Sequence, residues 1–181
     1  MSNTSELNFV RQQGFREASP ADSEVLYPAL MWQPRVGALV ILAGIVWQAW
    51  PVFAAMSALL WWNAILPKSN PFSVIYNRFL AGRLGRPAVP PAPAPRRFAQ
   101  GMAGTFCLGA GVCLLLGWST AAHVFEAILV AALTSLILGG FCLGSYIFHW
   151  LRRDGGFANR TLPWSPAEPG APGSAEAKAA R

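Results

Sequence analysis

Two long apolar blocks, residues 36–66 and 98–151, dominate this chain. A polar, basic stretch separates them and polar ends flank them. The first block has only Gln48 and Asn63 as strongly polar members, and Pro51 divides it just after Trp47-Gln48-Ala49-Trp50. One crossing of a bilayer needs about 20 apolar residues, so the block is long enough to cross and return. Two Trp, a Gln and a Pro in succession suit a turn at a membrane surface. The pattern predicts helices over 34–50 and 52–66, with a re-entrant or kinked pair as the alternative. In the second block Gly117-Trp118-Ser119-Thr120 interrupts the apolar run, and helices are predicted over 98–116 and 121–151. The expected fold class is an all-α membrane protein: four short transmembrane helices arranged as two hairpins, plus a cytoplasmic amphipathic interfacial helix.

That extra helix is read from the central loop. Asn70-Pro71 offers a cap followed by Pro at the first helical position. Phe72, Ile75, Tyr76, Phe79 and Leu80 then recur at helical spacing, bordered by Arg78, Arg83 and Arg86. A helix over 71–84 is predicted, lying in the inner interface or packed on the bundle. The Pro-rich run that follows reads as a polyproline II spacer. The organisation expected is a polar segment 1–33, hairpin 34–66, basic loop 67–97, hairpin 98–151 and a disordered tail 152–181. Residues 1–26 are expected to be loosely ordered, with a short helix around 7–15. The N-terminal segment lacks the basic-then-apolar pattern of a cleaved signal peptide.

Charge sets the orientation. Only 12% of residues are charged, against about a quarter in an average soluble domain, and this hydropathy excludes a soluble enzyme. Arg11, Arg16 and Arg35 precede the first hairpin. Lys68, Arg78, Arg83, Arg86, Arg96 and Arg97 lie between the hairpins, and Arg152, Arg153, Arg160, Lys178 and Arg181 follow the second; together these are all 14 basic residues. The hairpin tips have none. Basic segments stay inside, so an even number of crossings is expected, with both termini in the cytoplasm and the protein in the inner membrane. The net charge of +6 is assigned to anionic lipid headgroups at that face. No zinc-finger or RNA-binding pattern accompanies it, so nucleic acid is not an expected partner.

Within lipid, helices associate through close packing of small residues. Gly101, Thr105, Gly109, Cys113 and Gly117 form one such stripe, and Ala127, Ala131, Ser135 and Gly139 another. The two stripes are expected to face each other, or one of them to serve a homo-oligomer. Glu126 is the only charged residue between 98 and 151, and His123 lies on the same helix face. Charge inside a span is costly and often functional; the alternative is an anchoring role near the helix N-terminus. Two such groups without a third ligand do not make a metal site, and no cofactor motif is present. His149, with Trp150 and the arginines that follow, reads as an interfacial anchor. Cys107, Cys113 and Cys142 sit in apolar sequence and read as small hydrophobes. Cys142 lies in Phe141-Cys142-Leu143-Gly144-Ser145, one residue short of a Cys-x-x-Cys, which leaves a mixed disulfide with a partner as its remaining redox chemistry.

The stretches Pro95-Arg96-Arg97-Phe98-Ala99-Gln100-Gly101 and Gly140-Phe141-Cys142-Leu143-Gly144-Ser145, with Pro34-Arg35-Val36, resemble a bacterial family of small membrane proteins, domain-of-unknown-function number 4395. The resemblance runs over about residues 34–150. It implies a multi-pass membrane protein without an established activity, and sulfur-transfer or thioredoxin-like proteins as partners. A second Cys is common in the family where this chain has Ser145, which detracts from a thiol role for Cys142. Arg97, Phe98, Gln100 and Cys142 are the motif residues singled out. The sequence thus points first to an accessory or scaffold component of a membrane complex. The alternative is a small transporter or membrane thiol/redox component using His123, Glu126 and Cys142.

Overall fold

The computed structural model describes residues 3–166, leaving aside 84, 86 and 87. It is helical throughout, with no strand among the described residues. The elements are α1 (Asn3–Gln12), α2 (Pro20–Val46), α3 (Trp50–Ile65), α4 (Pro71–Ile75), α5 (Ala94–Leu115), α6 (Ser119–Gly139), α7 (Leu143–Leu151) and α8 (Gly155–Arg160). A 3-10 turn, Pro67–Ser69, leads into α4, and a π-helical turn, Tyr76–Ala81, follows it.

Helices α2, α3, α5 and α6 form an up-down-up-down ring in which each packs on its neighbours. The direction of α3 follows from its pairings with α5. A Cβ on Gly111 would meet Phe53, whereas one on Gly101 would meet Trp61 and Ala64. Between these layers Ile41, Phe53, Met56, Leu60, Cys107, Ala110 and Leu129 make the main core. Three of the four helices, α2, α5 and α6, are long and apolar enough to cross a membrane; α3, with 16 residues, is shorter. At 1.5 Å per residue α3 covers about 24 Å, against about 30 Å of hydrocarbon. Leu39, Val46 and Leu138 expose more than two-thirds of their surface on the outside of the ring. Exposed Trp47, Trp50 and Trp118 sit at one end, and Trp61, Trp62 and Trp150 at the other. That is where aromatic side chains belong at the two boundaries of a bilayer.

The structure differs from the hydropathy reading in five places. Helix α2 begins at Pro20 and carries Pro28 and Pro34 inside it, so Pro34 does not start the hairpin. Its start is set by a capping box, in which Ser19 accepts from the N–H of Asp22 and Asp22 accepts from the N–H of Ser19. The N-terminal segment is packed as well as helical. Leu7, Phe9 and Val10 of α1 are buried against Tyr27, Leu30 and Met31 of α2, with Cys142 in the same cluster.

The expected continuous helix 121–151 is two helices. Gly140 takes a left-handed conformation (φ 63°) that ends α6, and the N–H groups of Gly140 and Phe141 return to the carbonyls of Leu136 and Ser135. Glycine adopts that conformation without the Cβ penalty. The predicted helix 71–84 is a single α-turn that widens into the π turn; its end at Leu84 lies outside the described residues. Widening the turn splits the apolar stripe. Tyr76 is buried beside Ala29 and Trp32, while Ile75 and Phe79 are exposed. Asn70 caps α4 by accepting from the N–H groups of Phe72 and Ser73. In the tail, α8 is ordered and buries Ala158; residues 167–181 lie outside the described residues.

Candidate functional site

A half-enclosed groove of about 430 Å³ runs between α2, α5, α6 and α7. Most of it is apolar, with Ile41, Met56, Phe106 and Leu133 among its walls. One end is polar, formed by Gln13, Gln33, Arg96, Gln100 and Cys142. The Oε1 atom of Gln33 is the hub of this end. It accepts from Nδ2 of Asn70 at 3.2 Å, Nε2 of Gln100 at 3.0 Å and a guanidinium nitrogen of Arg96 at 3.4 Å. The same Arg96 nitrogen donates to the Leu30 carbonyl at 3.0 Å. Arg96 is 8% exposed, and none of the described residues makes a salt bridge to it. A buried guanidinium that donates only to neutral carbonyl oxygens carries an uncompensated charge in a low-dielectric surrounding. Two further groups at this end are buried without a hydrogen-bond partner, Nε2 of Gln13 and Oε1 of Gln100.

Helix α7 closes this end against α1. The Cys142 N–H donates to Oε1 of Gln12 at 3.0 Å, and Nε2 of His149 lies 3.0 Å from the Gln12 carbonyl. A carbonyl only accepts, so the proton of His149 sits on Nε2 and leaves Nδ1 to face Arg16 at 3.5 Å. Arg16 also pairs with Asp154 at 2.5 Å and lies 4.3 Å over the ring of Phe157. His149 is 1% exposed, so it is a buried tie between α1 and α7 and not the interfacial anchor expected; Trp150 beside it is the exposed residue. Helix α7 is outside the three candidate spans, and burial pushes the His149 imidazole below its ordinary range, opposed by the bond to Gln12. The bond to Arg16 holds the Asp154 carboxyl below the usual carboxylate range.

The second polar group is at the far end of the ring. Glu126 is buried, 2.9 Å from Nδ1 of His123, and accepts from Nε2 of Gln48 at 3.1 and 3.3 Å. His123 itself is largely exposed. Gln48 has a positive φ of 48° in the α2–α3 turn, so this contact joins the tip of one hairpin to the start of α6. The described residues hold no cluster of three or more potential metal ligands.

The remaining residues singled out in the sequence are scattered. Arg97 donates from Nε to the Ala64 carbonyl at 2.6 Å, locking α5 to the end of α3. Phe98 is partly exposed and meets Phe148 of α7, with ring centroids 5.8 Å apart. The two small-residue stripes do not meet face to face. Gly101 faces α3, Gly109 lies against Phe125 of α6, Cys113 is buried and Thr105 is exposed. Gly117, in the turn, has nothing near it. On α6, Ala127 and Gly139 point outward, Ala131 is exposed on the wall of the groove and Ser135 is half-buried, because Ala122, Glu126 and Leu129 occupy the inner face. The sequence reading missed Gln12, Gln13, Gln33 and the pairing of Arg96. A clue was available: Gln33 directly precedes Pro34-Arg35-Val36, and Arg96 lies within the most specific part of the motif.

Residues 31–153, well over half of the chain, match the family described as Domain of unknown function (DUF4395). The chain belongs to this family. No curated protein and no solved structure matches it. In this family member the matched segment begins just before the Gln33 hub and ends just after α7, so it contains Gln33, Asn70, Arg96, Gln100 and Cys142. Helix α1, which supplies Gln12 and Gln13, lies outside it.

Proposed function

We propose that this protein is an accessory or scaffold component of a complex in the bacterial inner membrane. It would cross four times and present a basic face to the cytoplasm. The observation that carries the reading is how the segments meet. At one end of the ring α1, the start of α5, α7 and α8 pack together. Gly14 lies against Pro93 and Pro95, Asn8 donates to the carbonyls of Leu162 and Ser165, and Arg16 pairs with Asp154. At the other end Gln48 of one tip bonds Glu126 near the other. None of the described basic residues lies in the two turns of the other end, 47–49 and 116–118. Charge gathered on one side and tips gathered on the other suit two complete hairpins and termini on the inner side. The 16 residues of α3 cross by local thinning of the bilayer or with help from the flanking Trp side chains.

Anionic lipid headgroups would meet the basic face, and a protein partner, sulfur-transfer or thioredoxin-like by family resemblance, would complete the assembly. Purification from native membranes in mild detergent, followed by mass spectrometry, tests this: a stoichiometric partner supports the reading, and a bare homo-oligomer sinks it. A second reading, a small transporter or thiol component using His123, Glu126 and Cys142, draws on the burial of Glu126. It fails if Glu126→Gln and Cys142→Ser both leave the cellular phenotype intact.

A further inference from the structure

We infer that the groove between α2, α5, α6 and α7 is a binding site for a single-chain amphiphile with a phosphomonoester head. The head would sit on Arg96 and the chain along the apolar walls. The case starts from charge. None of the described residues lining the groove is acidic, and Arg96 is more than nine-tenths buried at its polar end. Only one of its guanidinium nitrogens donates to the protein among the described residues, which leaves the other N–H groups of the fork available to an oxyanion. Position adds to charge: Arg96 is in the first turn of α5, where the helix terminus itself favours an anion.

The two unpartnered amides decide the class of anion. Gln13 offers a free donor, Nε2, and Gln100 a free acceptor, Oε1. The Gln100 amide is held in that orientation because its Nε2 is committed to Gln33. A carboxylate has two acceptors and no donor, so it leaves Oε1 of Gln100 unpaired. A phosphomonoester, whose second ionisation lies at about pH 6, can retain one proton in such a site, and then carries unprotonated oxygens for Arg96 and Gln13 and one P–OH for Gln100. It therefore satisfies every open group, and leaving such groups buried and unpaired is costly. The remainder of the groove has no polar group except Ser135. At about 430 Å³ it is near the lower end of small-molecule sites, which run from about 300 to 1,000 Å³; this suits one hydrocarbon chain and not two.

The test uses the full chain in dodecylmaltoside and measures thermal shift and native mass spectrometry with four probes. These are palmitoyl lysophosphatidate, palmitoyl lysophosphatidylcholine, palmitate and inorganic phosphate. The expected result is one lysophosphatidate per chain, bound at least about tenfold more tightly than the other three. Arg96→Lys keeps the charge but loses the fork, and should lose that preference. Because Arg96 also holds Leu30 and Gln33, two variants that leave those bonds alone accompany it. Ala132→Phe fills the groove away from the polar end and should abolish binding at unchanged melting temperature. Gln13→Leu should weaken lysophosphatidate toward the level of lysophosphatidylcholine. Equal shifts from lysophosphatidate and lysophosphatidylcholine would overturn the head assignment. A full shift from inorganic phosphate alone, or native binding by Ala132→Phe, would overturn the chain assignment.

Discussion

Adding one methyl group at Gly144 should weaken the bundle more than the same change at any other glycine on α5, α6 or α7. A Cβ built there falls 2.7 Å from both Cα and Cβ of Ala99. Carbon atoms settle at about 3.5–4.0 Å, so α7 and α5 must separate by about 1 Å. The obstacle includes backbone, which cannot rotate away. Overpacking of this kind costs about 1–3 kcal/mol. Moving α7 also strains the bonds from Cys142 and His149 to Gln12. At Gly109 the added atom meets the ring of Phe125 at 2.8 Å, and a side chain can turn, so about 1 kcal/mol is expected. At Gly139 nothing lies within 4 Å, and Gly→Ala should stabilise by about 0.5–1 kcal/mol through helix propensity. At roughly 2–4 °C per kcal/mol for a chain of this size, Gly144→Ala should melt about 2–12 °C below the native protein. Gly109→Ala should melt slightly below it, and Gly139→Ala at or above it. Fluorescence-detected unfolding of the purified protein in one detergent gives the series. A Gly144→Ala protein as stable as the native chain would refute the close approach of α5 and α7, and a reversed order would refute the packing argument as a whole.

Three other outcomes follow from the polar ties. His149 titrates below its ordinary value because it is buried, so docking of α1 is complete above about pH 6.5 and is lost as pH falls through the lower folded value. Asp154 acts in the same direction at lower pH, since its pairing with Arg16 contributes above about pH 4 and fades on acidification. The protection of α1 amides, taken relative to their intrinsic exchange rates, should therefore fall between pH 7 and pH 5. His149→Gln should remove that step, and its persistence would show that another group controls the dock. Arg16→Ala loses an exposed, solvent-screened pair, and its effect should be local: faster proteolysis around α8 with little change in melting temperature. Gln48→Ala deprives the buried Glu126 carboxyl of one donor and should cost about 1–3 kcal/mol, read as a drop in melting temperature that Gln48→Asn does not restore.

The helical class and the places where the chain turns were legible because hydropathy and Pro or Gly punctuation depend on local sequence. Gln48 and Pro51 mark the first turn, and Gly117 the second, within a residue or two of the helix ends observed. The break at Gly140 was hidden because Phe141-Cys142-Leu143 continues the apolar run, and a single left-handed glycine leaves no trace in mean hydropathy. The order in α1 was missed for the opposite reason. Its polar average concealed Leu7, Phe9 and Val10, which find their partners on α2 and at Cys142. Gln12 and Gln33 looked like ordinary surface amides; only the fold brings Gln12 to Cys142 and Gln33 to Arg96. The polar site is therefore a product of tertiary packing, and only Arg96, Gln100 and Cys142 stood within a recognisable motif.

The most direct test of the account is the side of the membrane on which the central loop lies, because it decides whether α3 completes a crossing. A reporter active only outside the cytoplasm is fused after Pro91 in one protein and after Ser119 in another. Four crossings with inner termini predict an inactive reporter at Pro91 and an active one at Ser119. If α3 turns back instead, α2, α5 and α6 are the only crossings, and the two readings exchange. An active reporter at Pro91 with an inactive one at Ser119 would contradict the two-hairpin account.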